Sequence, residues 1–256
     1  MSAPAAGSLR RDHPLPPLPR VIGHRGASAY APENTLASIR KAAALGARWV
    51  EFDVRLTREG DLVLMHDDDV KRTTNGKGRV LDLGMPELAA LDAGAWFGGA
   101  FAGERIPSLA ETIALLAELG LGANIEIKTG LPEARATAEA LGRILARHWP
   151  RAAAPPLISS FDVPALEAMQ ALAPDWPRGL LLKELKGDWR GLLDRLGAAT
   201  LNLDHRPLDA AKVAHARAAN RPILCYTVND AARARQLFAW GVTSVFTDRP
   251  DALLAA

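Results

Sequence analysis

Three carboxylates, two histidines, an arginine and a lysine stand near the ends of apolar, strand-like segments. The first segment ends in His24-Arg25-Gly26. The second carries Glu51-Phe52-Asp53 and turns back into His66-Asp67. A later one reads Asn124-Ile125-Glu126-Ile127-Lys128. On an extended strand residues i and i+2 share a face, so Glu51 points with Asp53 and Glu126 points with Lys128. Hard oxygen donors suit Mg²⁺ or Ca²⁺. A guanidinium and an ammonium suit a phosphate. Two imidazoles suit proton transfer near neutral pH. Gathered at one mouth, these groups would perform metal-assisted cleavage of a phosphodiester.

Each group also has a plainer reading. A strand-end histidine is often only exposed, and Lys128 beside Glu126 makes an ordinary structural ion pair. The carboxylates are harder to dismiss. Glu51, Asp53 and Glu126 alternate with Val50, Phe52, Val54, Ile125 and Ile127. Buried together without a partner they would be costly, and one divalent cation removes that cost. We therefore take Glu51, Asp53 and Glu126 as the metal ligands. Lys128 is expected to neutralise charge on the phosphate. Trp96, Phe97, Phe161 and Tyr226 either pack in the core or line the pocket; Phe161 and Tyr226 are retained as substrate contacts.

The elements that must position these residues alternate strand with helix. Strands are expected to begin at residues 20, 49, 123, 156, 178, 200, 223 and 244, with helical segments between them. Ser108-Leu-Ala-Glu111 is a capping box opening a helix that Gly120 closes. Eight parallel strands with intervening helices make an α/β TIM barrel, whose active site lies at the C-terminal strand ends. An open doubly wound sheet is the rival, but no glycine-rich fingerprint follows the first strand. Only Thr57–Asp61 separates Leu62–His66 from the strand before it. That connection is too short for a parallel crossover, so the pair is a hairpin. A turn centred on Glu59-Gly60 would set Asp53 opposite His66. Residues 68–107 are loop-rich and read as a cap insertion over the mouth. Residues 1–19 are a Pro-rich, flexible arm, and residues 20–256 form one domain.

Composition narrows the function. The 256 residues are 48% hydrophobic, with 31 basic and 29 acidic side chains and a net charge of +2. This balance leaves no footprint for nucleic acid. No apolar run is long enough to span a membrane. The N-terminus carries no secretory h-region, and the single cysteine, Cys225, fits a reducing compartment. A cytoplasmic location follows from these readings.

The stretch HRGASAYAPENTLASIRKAAALGARWVEFDVRLTREGDLVLMHDD resembles the start of the glycerophosphodiester phosphodiesterases. Ile-Pro-Ser-Leu at 106–109, Glu126-Ile-Lys128, Ser160-Phe161, Thr227-Val-Asn229 and Thr247-Asp248 continue the pattern in order. NIEIKTG, SSFDVPALEAMQALAPDWPRGLLL and YTVND are most similar to the compact bacterial cytoplasmic enzymes that accompany glycerol-phosphate uptake. The resemblance covers residues 20 to about 250. It implies a TIM barrel and hydrolysis of glycerophosphodiesters to glycerol 3-phosphate and an alcohol, with one divalent cation as cofactor. It also implies His24 and His66 as catalytic histidines and Arg25 as a phosphate ligand, and it agrees with the three metal acids. Glu33 would orient Arg25, and Asp67 would orient His66 or support the metal. Tyr226 stands where many relatives carry tryptophan. A phospholipase acting on intact lipids and a silent phosphodiester-binding barrel are the alternatives. The first needs a route to the membrane, and this chain shows no amphipathic basic helix or apolar arm; the second is expected to lose a histidine or a metal acid, and none is missing. No charge-specific group is apparent for the alcohol, so broad tolerance of that half is expected.

Overall fold

A computed structural model describes residues 15–130 and 133–255. Strands β1 (Val21–His24), β2 (Trp49–Leu56), β4 (Gly122–Ile127), β5 (Leu157–Ser160), β6 (Arg178–Leu182), β7 (Thr200–Asp204), β8 (Ile223–Tyr226) and β9 (Ser244–Thr247) pair in parallel. β1 pairs with β9 on one side and β2 on the other, which closes the ring. The fold is therefore a TIM barrel, eight-stranded among the described residues, and not an open sheet. β3 (Leu62–Leu64) lies outside the ring as the antiparallel arm of a hairpin with β2.

Helices α1 (Leu36–Ala44), α2 (Met85–Ala89), α3 (Leu109–Leu119), α4 (Ala134–His148), α5 (Val163–Leu172), α6 (Trp189–Arg195), α7 (Ala210–Arg217), α8 (Ala231–Trp240) and α9 (Pro250–Leu254) follow in order. Local chemistry fixes several starts. Thr35 and Ser38 form a capping box on α1, and Ser108 and Glu111 form one on α3. The side chains of Asp188, Asp209 and Asp230 cap α6, α7 and α8. Outward-facing Val50, Phe52, Val54, Ile125 and Ile127 pack under Ile39, Ile113 and Leu141 in one half of the barrel wall. The other half is built on Leu180, Leu201, Leu203, Ile223 and Val245. Among the described residues no helix is long and apolar enough to cross a membrane.

Alternation makes the barrel interior apolar at the bottom and polar at the top. Ile22, Trp49, Leu157, Leu224 and Phe246 form the floor, against which Leu15 and Leu18 pack. Of the stretch read as a flexible arm, residues 15–19 thus end beneath the barrel, where Ser244 Oγ donates to Pro19 O (2.6 Å); residues 1–14 lie outside the described residues. A Cβ on Gly122 would stand 2.3 Å from the Trp49 ring, so this strand start must be glycine for the indole to fill the floor.

The hairpin register differs from the expected one by one residue. Val54 faces Leu64, and Met65 N–H donates to Asp53 O (3.1 Å), so Asp53 stands opposite Met65 rather than His66. The cause is a three-residue loop. Thr57 and Asp61 close it through Thr57 N–H to Asp61 O (2.9 Å) and Asp61 N–H to Thr57 Oγ1 (3.1 Å), and Gly60 takes φ 85°. Beyond Leu64 the chain leaves the ladder. The Arg55 guanidinium donates twice to His66 O (2.8 and 3.0 Å), which anchors the backbone of the histidine.

The insertion of residues 68–107 has a small core of its own, in which Val70, Val80, Leu88, Ala93 and Ile106 pack with Val63 and Met65. The Asp92 carboxylate collects the N–H groups of Gly94, Ala95 and Gly103, each at 2.8 Å. Gly94 is required there, since a Cβ would lie 1.9 Å from Phe101 O.

Candidate active site

A cavity of about 430 Å³ opens at the C-terminal end of the barrel. Eight of the nine residues singled out from the sequence line it: His24, Arg25, Glu51, His66, Glu126, Lys128, Phe161 and Tyr226. The ninth, Asp53, is buried below, and its carboxylate lies within 4.8 Å of those of Glu51 and Glu126. Trp96 and Phe97 are not in the wall. They stack edge-on with each other, and Phe97 with Phe101, inside the insertion. No residue of 68–107 lines the cavity. Arg72 is the insertion's contact with the site.

The loop after β1 is bent to bring backbone and side chains inward. Arg25 adopts φ 52°, unusual for a residue other than glycine, and is held there from several sides. Its N–H donates to Glu51 Oε2 (2.9 Å), and its carbonyl accepts from Ser38 Oγ (2.8 Å) and Asn34 N–H (3.2 Å). Gly26 follows at φ 86°, and a Cβ there would lie 2.4 Å from Ser38 Oγ, so only glycine admits α1 this close.

Both histidines are oriented through Nδ1. His24 Nδ1 meets Asp248 Oδ1 at 2.7 Å, and Asp248 is fixed by Ser28 Oγ (2.7 Å) and Asn229 Nδ2 (2.6 Å). Burial opposes the charge on Asp248, but the His24, Ser28 and Asn229 donors outweigh it and hold the carboxyl well below the usual range. His66 Nδ1 meets Asp67 Oδ1 at 2.7 Å; the Arg72 hydrogen bond is the main influence pulling Asp67 down to about 2. With each carboxylate accepting from Nδ1–H, Nε2 of each ring is the free nitrogen. Burial, with Arg25 and Lys128 nearby, lowers the pKa of His66 despite Asp53 and Asp67.

Two cations flank the acidic cluster. Arg25 Nε lies 3.3 Å from Asp53 Oδ2 and its Nη1 2.6 Å from Glu33 Oε1. Arg72 grips both oxygens of Glu33 (2.8 Å each) and reaches Asp67 at 2.6 Å, so one chain of ion pairs ties the phosphate-side arginine to the His66 dyad. Lys128 Nζ lies 2.5 Å from Glu126 Oε1 and 3.4 Å from Asp53 Oδ1. Burial would lower its pKa, but Asp53 and Glu126 raise it, so the ammonium stays charged.

The three carboxylates are not equivalent. Burial would raise Asp53, yet Arg25 and Lys128, with a hydrogen bond from Asn34 Nδ2 (2.8 Å), hold it well below the ordinary value. Glu51 is pushed well above the ordinary value by burial and by Asp53 and Glu126. Glu126 is pushed up to about 7 by burial and Asp53, against the pull of Lys128. Glu51 Oε1 is buried without a hydrogen-bond partner. An all-oxygen donor set, mutual repulsion and an unsatisfied buried carboxylate oxygen fit a hard divalent cation.

Sequence reasoning passed over several participants. Asn34 stands next to Thr35, the cap of α1, and its amide binds the carboxylate and N–H of Asp53. Asn124 shares the Glu126 face, a signal available in the alternation. One edge of its amide pairs with Ser159 Oγ (2.9 Å), and Oδ1 is buried and unpartnered in the cavity wall. Asp248 meets His24 across 224 residues and Arg72 meets Glu33 across 39, separations that no spacing rule connects.

Comparison with known proteins agrees with this geometry. The family model described as the glycerophosphoryl diester phosphodiesterase family matches residues 24–252. The chain is 36% identical over 235 residues to a glycerophosphodiester phosphodiesterase of Caldanaerobacter subterraneus subsp. tengcongensis, covering 91% of this chain and 96% of that one. It is similar in structure to an Oleispira antarctica phosphodiesterase solved in complex with the product sn-glycerol-3-phosphate, at TM-score 0.90, 38% identity and 93% and 96% coverage of the two chains. A glycerophosphodiester phosphodiesterase from Agrobacterium tumefaciens superposes at TM-score 0.76, with 29% identity and 93% and 100% coverage. With its match running through both histidine dyads and the acidic cluster, the chain belongs to the glycerophosphoryl diester phosphodiesterase family.

Proposed function

We propose that this enzyme hydrolyses glycerophosphodiesters to glycerol 3-phosphate and an alcohol with one divalent cation and two histidines. The observation that carries the reading is the meeting, around one cavity, of a buried three-carboxylate cluster with two histidines whose Nδ1 atoms are already committed to aspartates. The product bound to the Oleispira relative supports glycerol as the retained half.

Glu51, Asp53 and Glu126 would hold the cation, Mg²⁺ or Ca²⁺, which when bound polarises phosphoryl oxygens and favours an ionised oxygen nucleophile. Arg25 and Lys128 bind the phosphate and offset charge that grows on it. The free Nε2 of one histidine accepts the proton of the attacking hydroxyl as its oxygen bonds to phosphorus; the attacker is water, or the glycerol 2-hydroxyl through a cyclic phosphate that water then opens. Nε2–H of the other delivers a proton to the alkoxide as the phosphorus–oxygen bond to the alcohol breaks. Asn124 Oδ1, buried and unpartnered, would accept a hydrogen bond from a glycerol hydroxyl. Phe161 and Tyr226, edge-on at 5.7 Å, form an apolar side wall for the substrate. A cytoplasmic setting accords with the lone Cys225, which is buried, its thiol pushed up to about 12 by that burial.

The substrate claim is tested by comparing a glycerophosphodiester with a dialkyl phosphate lacking glycerol. Because a site with buried polar groups rejects a partner that leaves them unpaired, kcat/KM is expected to be roughly 10³-fold or more lower for the dialkyl phosphate. Comparable rates would remove glycerol recognition from the account.

A further inference from the structure

The cavity has a buried end and an exposed end. Glu51, Asn124 and Glu126 are buried at the first, whereas Phe161 and Lys183 are its two exposed wall residues. In the ring order β6 stands directly across from β1, so Lys183, just past β6, faces the side that carries His24 and Arg25. The half that every substrate shares, glycerol and phosphate, is matched by the buried polar groups. The half that varies between substrates must therefore extend toward the exposed rim. The cavity does not stop there, because Lys183 also lines a neighbouring groove of about 490 Å³ with Leu185, Pro207 and Leu208.

Charge bookkeeping at this rim is uneven. His24, Arg25, Glu51, His66, Glu126 and Lys128 each meet a polar or charged partner in the structure. In the adjoining groove Lys186 pairs with Glu184, Lys212 with Asp209, and Asp204 with Arg206. Lys183 alone among the charged residues of the cavity wall makes no ion pair or hydrogen bond among the described residues. The aromatic pair beside it would accept a cationic alcohol, but an unpaired ammonium at the same place repels one.

We propose that Lys183 selects the leaving alcohol by charge: it forms a rim subsite that favours alcohols carrying an anionic group, a carboxylate or a phosphate, over quaternary ammonium alcohols. This rests on the glycerophosphodiesterase reading and sets a charge preference within the broad tolerance of the alcohol expected from the sequence.

The test uses the full-length enzyme with Mg²⁺ and three glycerophosphodiesters of small leaving alcohols, glycolate, ethylene glycol and choline, and reads how the ratios of their rates change between wild type and variants. At low salt, kcat/KM for the glycolate ester is expected to exceed that for the choline ester by roughly twofold to thirtyfold, the attraction and the repulsion of a solvent-facing charge taken together. The preference should shrink in 1 M salt, where screening acts within about 3 Å. Lys183→Gln should bring the two esters close to parity, and Lys183→Glu should reverse their order. An equal loss for all three esters in Lys183→Gln would overturn the proposal, since Lys183 would then hold the shared half. An unchanged ratio in both variants would overturn it too. If the wild-type enzyme cleaves none of the three, the parent reading fails and this one with it; cleavage of all three without a charge order sinks only this one.

Discussion

Replacing His24 or His66 with alanine is expected to lower turnover by about two to four orders of magnitude, the usual contribution of a positioned acid or base. Both rings are anchored by a carboxylate at Nδ1 and neither supports the core, so the variants should fold normally. The two protons move in one reaction, and residues that act as a unit are non-additive. The double variant is therefore expected to be little slower than the worse single one. Steady-state kinetics on the three variants, with Tm as a control for folding, checks this. A wild-type rate in either single variant would take that residue out of the mechanism.

Glu126→Gln is expected to have opposite effects on activity and on the metal-free fold. It removes one of the three clustered oxygen ligands, so at fixed Mg²⁺ kcat/KM should fall roughly a hundredfold or more, on the scale of losing one stabiliser of developing charge. The rise in Tm that wild type shows on adding Mg²⁺ should shrink, because a ligand stabilises only as far as it binds the native state. In chelator the sign changes. A carboxyl whose folded pKa lies above its unfolded value binds more protons when folded, so its stability is present at acid pH and is lost as pH rises. For Glu126 that window runs from the ordinary 4.5 to about 7. Asp53 shifts the other way, and its window lies below 3.8, outside this range. Metal-free Glu126→Gln should accordingly match or exceed wild type in Tm above pH 7 and show a flatter profile between pH 4.5 and 7. A full Mg²⁺ response in the variant, or a lower metal-free Tm at pH 7.5, would contradict the assigned cluster.

The barrel was legible because its strands are short apolar runs bounded by turn and cap residues, and because one alternation rule sorts each strand into floor, wall and mouth. The same rule brought Glu51, Asp53, Glu126 and Lys128 to one end. It failed where position depends on loop geometry. The hairpin register turned on whether Thr57 and Asp61 close a loop of three residues or another number, and one residue of difference exchanges the strand faces. Arg72 and Asp248 were hidden for another reason. Their roles come from contacts 39 residues from Glu33 and 224 residues from His24, which local pattern does not encode. Lys183 was hidden because an exposed lysine at a strand end is common; only the ring order shows what it faces.

Release of glycerol 3-phosphate from a glycerophosphodiester, followed with the purified chain after exhaustive chelation and again after Mg²⁺ or Ca²⁺ is restored, tests the central claim most directly. The buried carboxylate cluster predicts near-complete loss of product in chelator and recovery on adding back one of the two cations. Full activity in a demonstrably metal-free sample would contradict the claim.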